Sequence, residues 1–402
     1  MKQKLTFAVI GCGSRGRTYM EIARTLGHEI VAFADPRAEA RDAMRGIAAG
    51  QEQAPEEFDS AESLLAAAPQ AKVALVATQD ARHLQDASGA LEAGYDILLE
   101  KPAAQTSEDV EHLGRLAAEK DRRIVLCFVL RYTPFYRAIK QAVDAGKIGK
   151  VMSIQASEGV GPWHHAHSYV RGHWSRSDES TPMIVAKSCH DTDIIHWLAG
   201  APCEKVSSYQ HTSYFVPGMA PEGATLRCTD GCPQVGQCLY DAHRYLGDQK
   251  KWMEKIQPDS VTWGEEERLD WLRTSPWGRC AYHSDQDTPD HQVVTMQFAN
   301  HITAGFTMTA FDTGRRIRVY GTKGILEGAI HADGREPWVE CRAHEGDTES
   351  IPVEEVGSGG YQSHGGGDYG LIAALPDLLE KNNGQDSDFL EGHRIAFAAA
   401  RE

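Results

Sequence analysis

A glycine-rich segment near the N-terminus, Gly-Cys-Gly-Ser-Arg-Gly beginning at Gly11, has residue types that can bind phosphate. It follows a short apolar run and precedes a segment of helical periodicity. Gly11 permits a tight turn, Gly13 lets the backbone approach a diphosphate, and Gly16 lets the helix pack closely on the strand. The amides at the start of the helix, at Ser14 and Arg15, favour an anion. The segment predicts a dinucleotide site, with a chance glycine loop as the alternative.

The residues that follow indicate which dinucleotide would bind. Asp35 stands at the end of the second predicted strand, about 20 residues after the glycines, where a carboxylate can accept hydrogen bonds from ribose hydroxyls. The same carboxylate repels a 2′-phosphate, so we predict NAD over NADP, although the nearby Arg37 weakens that preference. Further candidate cofactor contacts lie at later strand ends: Thr78, His83, Glu100 and Lys101.

Two side chains could move the proton in alcohol oxidation, which requires a proton acceptor while hydride leaves the same carbon. Lys101 follows a predicted strand, and ligands of open α/β sheets bind at the carboxyl ends of strands. It can accept the proton if its pKa is lowered, and a surface lysine is the alternative. His190 begins a predicted helix with Asp193 on the same face. Asp193 could orient the imidazole, and a purely structural pair is equally compatible.

The elements that position these residues fall into two patterns. Apolar runs alternate with helical segments from 5 to 124, which predicts βαβ units and a doubly wound parallel sheet of the Rossmann type. Hairpin signals from 292 to 328 predict an open, mostly antiparallel sheet with helices on one face. We therefore predict an α/β dinucleotide-binding domain at 1–130 and an α+β domain at 131–402. The segment 217–280 fits neither pattern and is interpreted as an insertion.

Composition excludes several classes of protein. The 402 residues carry 57 acidic and 41 basic side chains, and this net charge of −16 disfavours binding to nucleic acid. No apolar run approaches the roughly 20 residues needed to cross a bilayer, and the N-terminus enters a strand pattern almost at once, without room for a secretory signal. Nine cysteines form an odd, scattered set, which favours reduced thiols. We expect a cytoplasmic protein without a membrane or nucleic-acid partner.

Four cysteines look like a group: Cys228, Cys232, Cys238 and Cys280. Three thiols lie within eleven residues, and the fourth follows a predicted turn. Four thiolates would make a structural zinc or an iron-sulfur site, although the spacing matches neither a zinc knuckle nor a ferredoxin closely. Free cysteines in an ordered insertion are the alternative.

Together with the triplet Glu100-Lys101-Pro102, these features resemble the glucose-fructose oxidoreductase, inositol dehydrogenase and rhizopine catabolism family, Gfo/Idh/MocA. The resemblance extends over nearly the whole chain; further features that carry it are Arg131 to Pro134, Ile148-Gly149, Ser188 to Leu198 and Gly321 to Gly324. It implies that Lys101 lies beside the nicotinamide, that the Lys-Pro peptide bond is often cis, and that the protein is a homodimer or homotetramer.

The chain departs from the family's dehydrogenases before the histidine. Those enzymes tend to carry an aspartate four residues ahead of it, and here that position is Ala186, followed by Lys187. The usual set of Lys, Asp and His is therefore incomplete. Lys187 becomes the third catalytic candidate, because it could supply a charge or a proton.

Several cationic and aromatic residues indicate what the substrate is. Basic side chains near the candidate site, in an acidic chain, favour an anionic sugar such as a uronate, phosphate or sulfonate. A solvated loop with incidental histidines is the alternative, as core packing is for the tryptophans. The candidate substrate contacts are Arg131, Tyr132, Trp163, His164, Arg171, Trp174, Lys187, Asp193 and His364.

Three functions compete. The first is an NAD-dependent oxidoreductase acting on a secondary alcohol of a sugar or cyclitol. The second is an NAD-dependent glycoside hydrolase that works by transient oxidation, elimination, water addition and reduction, as relatives in the family do. The third is a noncatalytic NAD-binding protein, which the presence of Lys101 and His190 disfavours.

Overall fold

The computed structural model describes residues 4–354, 363–380 and 388–401. Part of the glycine-rich loop that the sequence predicts over 357–368 falls outside these ranges, namely residues 357–362. Among the described residues, no helix combines the length and the apolar character needed to span a membrane.

Six parallel strands form the N-terminal sheet. They are β1 Thr6–Ile10, β2 Glu29–Ala34, β3 Glu56–Phe58, β4 Val73–Val76, β5 Asp96–Leu99 and β6 Ile124–Leu126. Their order, β3-β2-β1-β4-β5-β6, confirms the doubly wound parallel sheet and places its switch point between β1 and β4. β4 and β5 are buried along their whole length, as expected when helices cover both faces.

Helices connect these strands and lie close to their predicted positions. They are α1 Ser14–Thr25, α2 Ala38–Ile47, α3 Ala61–Ala67, α4 His83–Glu92 and α5 Ser107–Glu119. Thr106 caps α5, because its side chain accepts from the backbone N–H of Asp109. The sequence did not predict β3, which is a three-residue edge strand of partly exposed Glu-Glu-Phe without an apolar run.

Eight strands form the second sheet. They are β7 Val151–Val160, β8 Cys203–His211, β9 His291–Phe298, β10 Thr303–Thr309, β11 Thr313–Gly321, β12 Gly324–Ile330, β13 Trp338–Ala343 and β14 Thr348–Ile351. Their order is β14-β13-β12-β11-β7-β10-β9-β8. The β7–β10 pair is parallel and the other pairs are antiparallel, which confirms the mostly antiparallel sheet. β8 and β14, both unpredicted, are the edges and carry mainly exposed polar residues.

The remaining helices pack around this sheet and return to the first domain. They are α6 Pro134–Asp144, α7 Pro162–His165, α8 Met183–Ala186, α9 Cys189–Ala199, α10 Lys250–Ile256, α11 Glu265–Thr274, α12 Gly367–Glu380 and α13 Asp388–Arg401. α12 shares a core with β1 and α1 through Leu371, Ile372 and Leu375. A segment late in the chain therefore helps to build the dinucleotide domain.

The segment between β8 and β9, residues 212–290, forms short helices and turns and contains α10 and α11. An isolated bridge joins Arg227 to Arg279. Apolar side chains of this segment pack on the loop after β7 in two small cores. We call residues 212–290 the insertion.

Candidate functional site

The turn between β1 and α1 fits a dinucleotide diphosphate. Gly11 has a φ of +99°, and a Cβ there would lie 2.5 Å from the Ala77 carbonyl oxygen. A Cβ at Gly16 would lie 2.1 Å from the Gly11 carbonyl oxygen. Beside Gly13 the backbone is open, since a Cβ there would have Arg37 Nη2 at 3.8 Å as its near neighbour. α1 has no acidic residue in its first turn and no side chain that caps it, so its amides are available to an anion.

Asp35 lies at the end of β2, beside this turn. Its carboxylate accepts hydrogen bonds from Cys12 N at 3.0 Å and from Arg37 Nε at 3.1 Å and Nη2 at 3.2 Å. Although burial raises the pKa of Asp35, the hydrogen bonds from Arg37 outweigh it and hold the pKa below its usual value. The carboxylate is thus ionised and fixed at the strand end, while Ser14 is exposed at the start of α1.

A network of charged side chains ties the glycine-rich turn to α12. Arg15 donates from Nε to Glu100 at 2.7 Å and from Nη1 and Nη2 to Asp368 at 3.0 and 2.7 Å. The Tyr19 hydroxyl also donates to Glu100, at 2.9 Å. Burial raises the pKa of Asp368, but hydrogen bonds from His364 and Arg15 lower it more, so the carboxylate stays ionised. In this structure Arg15 and Glu100, both predicted cofactor contacts, pair with each other.

The loops after β4 and β5 are joined by His83. Its Nδ1 lies 2.6 Å from the Pro102 carbonyl oxygen, and its Nε2 lies 3.1 Å from the Thr78 carbonyl oxygen. Thr78 in turn donates its hydroxyl to Asp86 at 2.8 Å. His83 is buried and holds these two loops together, and its contact with the cofactor stays a prediction.

Lys101 follows β5 at the carboxyl edge of the parallel sheet, and its peptide bond to Pro102 is cis. Its Nζ donates to the Ala186 carbonyl oxygen at 2.8 Å. No ion pair between Lys101 and an acidic side chain occurs within the described part of the chain. The Lys101 ammonium is therefore bound by the backbone carbonyl of Ala186. This is the position at which dehydrogenases of the resembled family tend to carry an aspartate.

His190, the second residue of α9, is buried in the same region. Its ring packs edge-on to Phe128 at 5.9 Å and lies 6.5 Å from the ring of His364, and its Nδ1 has no hydrogen-bond partner among the described residues. Burial lowers the pKa of His190 well below its usual value, and the positive charge of Lys101 lowers it further. The imidazole is therefore neutral near pH 7 and can accept a proton.

A cluster of buried charges lies beneath Lys187. Lys187 Nζ is 3.2 Å from Glu158 Oε1, and Arg315 pairs with both Glu158 and Asp191. Burial raises the pKa of Glu158, but the charges of Arg315 and Lys187 lower it more and keep that carboxylate ionised. The pKa of Asp191 is raised, mainly by burial and by the charge of Glu158. Glu158, Asp191 and Arg315 carry no recognisable signal in the sequence, because they meet only when β7, α9 and β11 come together.

Two predicted substrate contacts pair with each other. Arg131 donates from Nε to Asp193 Oδ2 at 2.7 Å and from Nη2 to Oδ1 at 2.6 Å. The charge of Arg131 is therefore compensated within the protein, and the pair joins the loop after β6 to α9. The neighbouring Tyr132 packs against the core that includes α12.

The remaining predicted substrate residues are placed differently from one another. Arg171 is buried and donates to the carbonyl oxygens of Arg279 at 2.7 Å and Tyr240 at 2.6 Å, so it supports the insertion. Trp163 is also buried, in a core with insertion residues. His164 is partly exposed, and its pKa is lowered well below the usual value by burial and by the charge of Lys187. His364 is 43% exposed and lies 3.1 Å from Asp368.

Trp174 lines a cavity of about 590 Å³ between the loop after β4 and the insertion. Its Nε1 donates to Asp80 Oδ2 at 3.0 Å. Gln105, Arg176 and Trp277 also line this cavity. The cavity is large enough for a sugar-sized or nucleoside-sized group and opens beside the carboxyl ends of β4 and β5, where ligands of such sheets bind.

The predicted metal site is wrong in this structure. Cys228, Cys232, Cys238 and Cys280 line one cavity of about 20 Å³, but no group of three or more Cys, His, Asp or Glu side chains in the described ranges is arranged to hold a metal ion. Cys238 Sγ accepts from Tyr240 N at 3.4 Å, and burial raises the pKa of the Cys228 and Cys238 thiols. These two side chains are neutral thiols in two small aromatic cores, Cys228 with Trp163 and Cys238 beside Tyr240.

The fold and this site define an oxidoreductase with a dinucleotide-binding Rossmann domain. Residues 5–128 match the model of an oxidoreductase family described by its NAD-binding Rossmann fold, and residues 140–354 match the C-terminal alpha/beta domain of the same family. The chain belongs to the Gfo/Idh/MocA oxidoreductase family, which confirms the resemblance drawn from its motifs.

Curated relatives include YteT of Bacillus subtilis, named as an oxidoreductase, at 26% identity over 80% of this chain and 75% of YteT. An inositol 2-dehydrogenase of Corynebacterium glutamicum is 30% identical over 53% of this chain and 60% of its own length. The chain thus spans less than two thirds of that dehydrogenase.

Two solved structures share the fold over nearly their whole length. One is the WlbA dehydrogenase from Bordetella pertussis, in complex with NADH and UDP-GlcNAcA, with a TM-score of 0.63 at 16% identity. The match covers 99% of this chain and 96% of the WlbA chain. Levoglucosan dehydrogenase, in complex with NADH and levoglucosan, has a TM-score of 0.68 at 16% identity and covers 99% and 97%.

Proposed function

We propose that this protein oxidises a secondary alcohol of an anionic sugar or cyclitol with NAD, at a site formed by Lys101, His190 and Lys187. The observation that carries the proposal is the neutral, buried His190 with a free ring nitrogen beside Lys101, at the carboxyl edge of a sheet whose first turn fits a dinucleotide. Relatives named as inositol 2-dehydrogenases support a sugar or cyclitol as the substrate class, and the anionic group is argued from the charges of the site.

The residues that would hold the dinucleotide are Gly11, Gly13 and the first amides of α1 for the diphosphate, with Asp35 for the ribose. When bound, NAD supplies the hydride acceptor. Asp35 favours NAD over NADP because its ionised carboxylate repels a 2′-phosphate.

On the substrate side, His190 accepts the hydroxyl proton at its imidazole, since its lowered pKa keeps that ring neutral. The Lys101 ammonium, held by the Ala186 carbonyl, stabilises the negative charge that develops on the substrate oxygen. Lys187, anchored on Glu158, adds a second positive charge at the same site.

The balance of these charges supports an anionic substrate. Lys101 donates to a carbonyl oxygen and forms no ion pair among the described residues; its charge lowers the pKa of Glu100, a carboxylate that already pairs with Arg15. Because the pKa of Asp191 is raised, its carboxylate becomes neutral as the pH falls. The positive charges of Lys187 and Arg315 are then less fully compensated by acidic side chains. A carboxylate, phosphate or sulfonate on the sugar would complete the balance.

The proposal is tested by incubating purified protein with NAD and a panel of free sugars, cyclitols and glycosides, half of them anionic. The absorbance of the reduced cofactor and the formation of sugar products are followed in the same reaction. We expect one reduced cofactor per oxidised sugar, with anionic members preferred. Sugar release from glycosides that requires NAD without net reduction would replace the proposal with the NAD-dependent glycosidase. Binding of NAD without turnover would leave a noncatalytic NAD-binding protein.

A further inference from the structure

We propose that the insertion contributes a second binding subsite, formed by Trp252 and Lys255 of α10, for an anionic group joined to the sugar that is oxidised at His190. The inference rests on the proposed function and extends it, because it assigns the substrate to the class of anionic conjugates, such as glycosides with a charged second ring.

The insertion is held firmly against the catalytic domain. His167 Nδ1 lies 2.6 Å from the Tyr245 hydroxyl, and Trp277 Nε1 donates to the His167 carbonyl oxygen at 3.1 Å. The ring of Trp163 packs on Tyr245 at 5.0 Å. Met253 of α10 is buried in the same core, which fixes the position of that helix.

One face of α10 adjoins the loop that borders Lys187. The Trp252 ring lies 4.9 Å from the rings of both His164 and His167. Burial is the main cause that lowers the pKa of His164. The positive charge of Lys187 is the second cause, and Lys255 makes a smaller contribution. Lys187 pairs with Glu158 near the end of β7, and His164 lies in α7, which directly follows β7. The segment after β7 therefore connects the Lys187 end of the candidate site to α10, through the contact between the His164 and Trp252 rings.

The surface of α10 carries an aromatic ring and a cation side by side. Lys255 Nζ lies 4.4 Å from the centroid of the Trp252 ring. Lys255 is exposed, Trp252 is partly exposed, and no ion pair of Lys255 occurs within the described part of the chain. Lys250 of the same helix is different, since its Nζ lies 3.6 Å from Glu254. Lys255 is thus a cation beside an aromatic side chain, without a local counter-charge.

This combination is chemically suited to a charged ring. An exposed edge or face of tryptophan can contact a sugar ring, and a nearby ammonium can bind a carboxylate or phosphate. Because Lys187 is already paired with Glu158, Lys255 is the better partner for a distal anion. A carboxylate and a phosphate present the same charge there, and the experiment separates them.

The test compares Lys255→Ala with the matched control Lys250→Ala on the same helix. Steady-state kinetics and calorimetric binding to the NAD-loaded protein use three conjugates: a neutral glucoside, the corresponding glucuronide and a glucose phosphate ester. We expect K255A to raise KM and Kd for an anionic conjugate about tenfold, the size of one charge-assisted contact. KM for the neutral glucoside and kcat should not change, and K250A should match the wild type. The anion that responds more strongly identifies the charge.

A second variant, Trp252→Leu, keeps an apolar side chain at the surface of α10. We expect it to raise KM for neutral and anionic conjugates alike and to leave kcat for free sugars unchanged. Its thermal unfolding midpoint should fall only slightly, because leucine keeps part of the packing of Trp252 on the core. Equal KM values for K255A and K250A on every conjugate would overturn the subsite. Turnover of free sugars with rejection of all conjugates would also overturn it while the proposed function stands. Neither turnover nor binding of any sugar would overturn both.

Discussion

The cofactor side and the substrate side of this site differ in how their charges are compensated. On the cofactor side Asp35 pairs with Arg37, and Arg15 pairs with both Glu100 and Asp368. On the substrate side Lys101 donates to a carbonyl oxygen, and His190 has a ring nitrogen without a partner among the described residues. The paired side chains of the cofactor side form a frame for the dinucleotide that is already assembled. On the substrate side, Lys101 and His190 still have capacity to bind the polar groups of a substrate.

The largest effect is expected from removing the cation of the substrate side. Lys101→Met should lower kcat about a thousandfold, within the range that a proton-transfer or charge-stabilising group contributes. The NAD dissociation constant should change little, because the frame around Asp35 and Arg15 is untouched. Stopped-flow and steady-state assays on the best panel substrate measure kcat. Lys120→Met, at an exposed lysine after α5, is the control. A K101M enzyme with more than a tenth of the wild-type kcat would contradict the assignment.

Breaking the cofactor-side frame should instead cost stability. Asp368→Asn leaves Arg15 with one acidic partner, and we expect a loss of roughly 2 to 3 kcal/mol in the free energy of unfolding, below the range for fully buried pairs because Arg15 is 31% exposed. Urea unfolding measures it. Glu380→Gln, at the exposed end of α12, should have almost no effect. An unchanged midpoint in D368N would mean that the link to α12 is not part of the frame.

Changing Asp35 tests cofactor choice. Asp35→Ser removes the repulsion of a 2′-phosphate and releases Arg37, which can then bind that phosphate. We expect the ratio of kcat/KM for NADP to that for NAD to rise about tenfold or more. Glu39→Ser, on exposed α2, serves as the control. If D35S kept the wild-type ratio, the ribose contact would have to be assigned elsewhere.

The smallest effect concerns pH. Because the pKa of His190 is lowered from 6.5, its neutral form persists below that pH, and the acid limb of kcat/KM should fall below pH 6.5. Lys187→Met removes a positive charge and exposes His190 to Glu158. Both changes raise the His190 pKa, so the limb should move to higher pH by roughly half a unit. A limb that stays in place, or moves lower, would argue that another group titrates.

Much of the fold could be predicted because the evidence for it is local. The glycine loop, the buried strands and their connecting helices each carry their own pattern of apolar and turn-forming residues. Four strands escaped prediction: β3, β8, β13 and β14. Three of them, β3, β8 and β14, lie at sheet edges, where polar residues on exposed faces remove the alternation that marks a strand. The fourth, β13, lies one strand in from an edge and buries only Val339 and Cys341.

The site was predictable in its parts and not in its pairings. Lys101 and His190 were identified from their places at a strand end and a helix start. The charged groups that pair around Lys187, namely Glu158, Asp191 and Arg315, are far apart in sequence and meet where β7, α9 and β11 come together. The four cysteines show the opposite error, since their spacing suggested metal ligands. Cys228 lies in one small core and Cys238 and Cys280 in another, and no metal-binding arrangement occurs among the described residues.

In the proposed net oxidation, His190 accepts the hydroxyl proton, and the hydride lost from the sugar carbon would remain on NAD. This claim is tested most directly with the best panel substrate deuterated at the oxidised carbon, incubated with NAD and analysed by mass spectrometry of cofactor and sugar. We predict one deuterium in each reduced cofactor and a sugar product without that deuterium. Deuterium returned to a released sugar, with no net reduced cofactor, would contradict the claim.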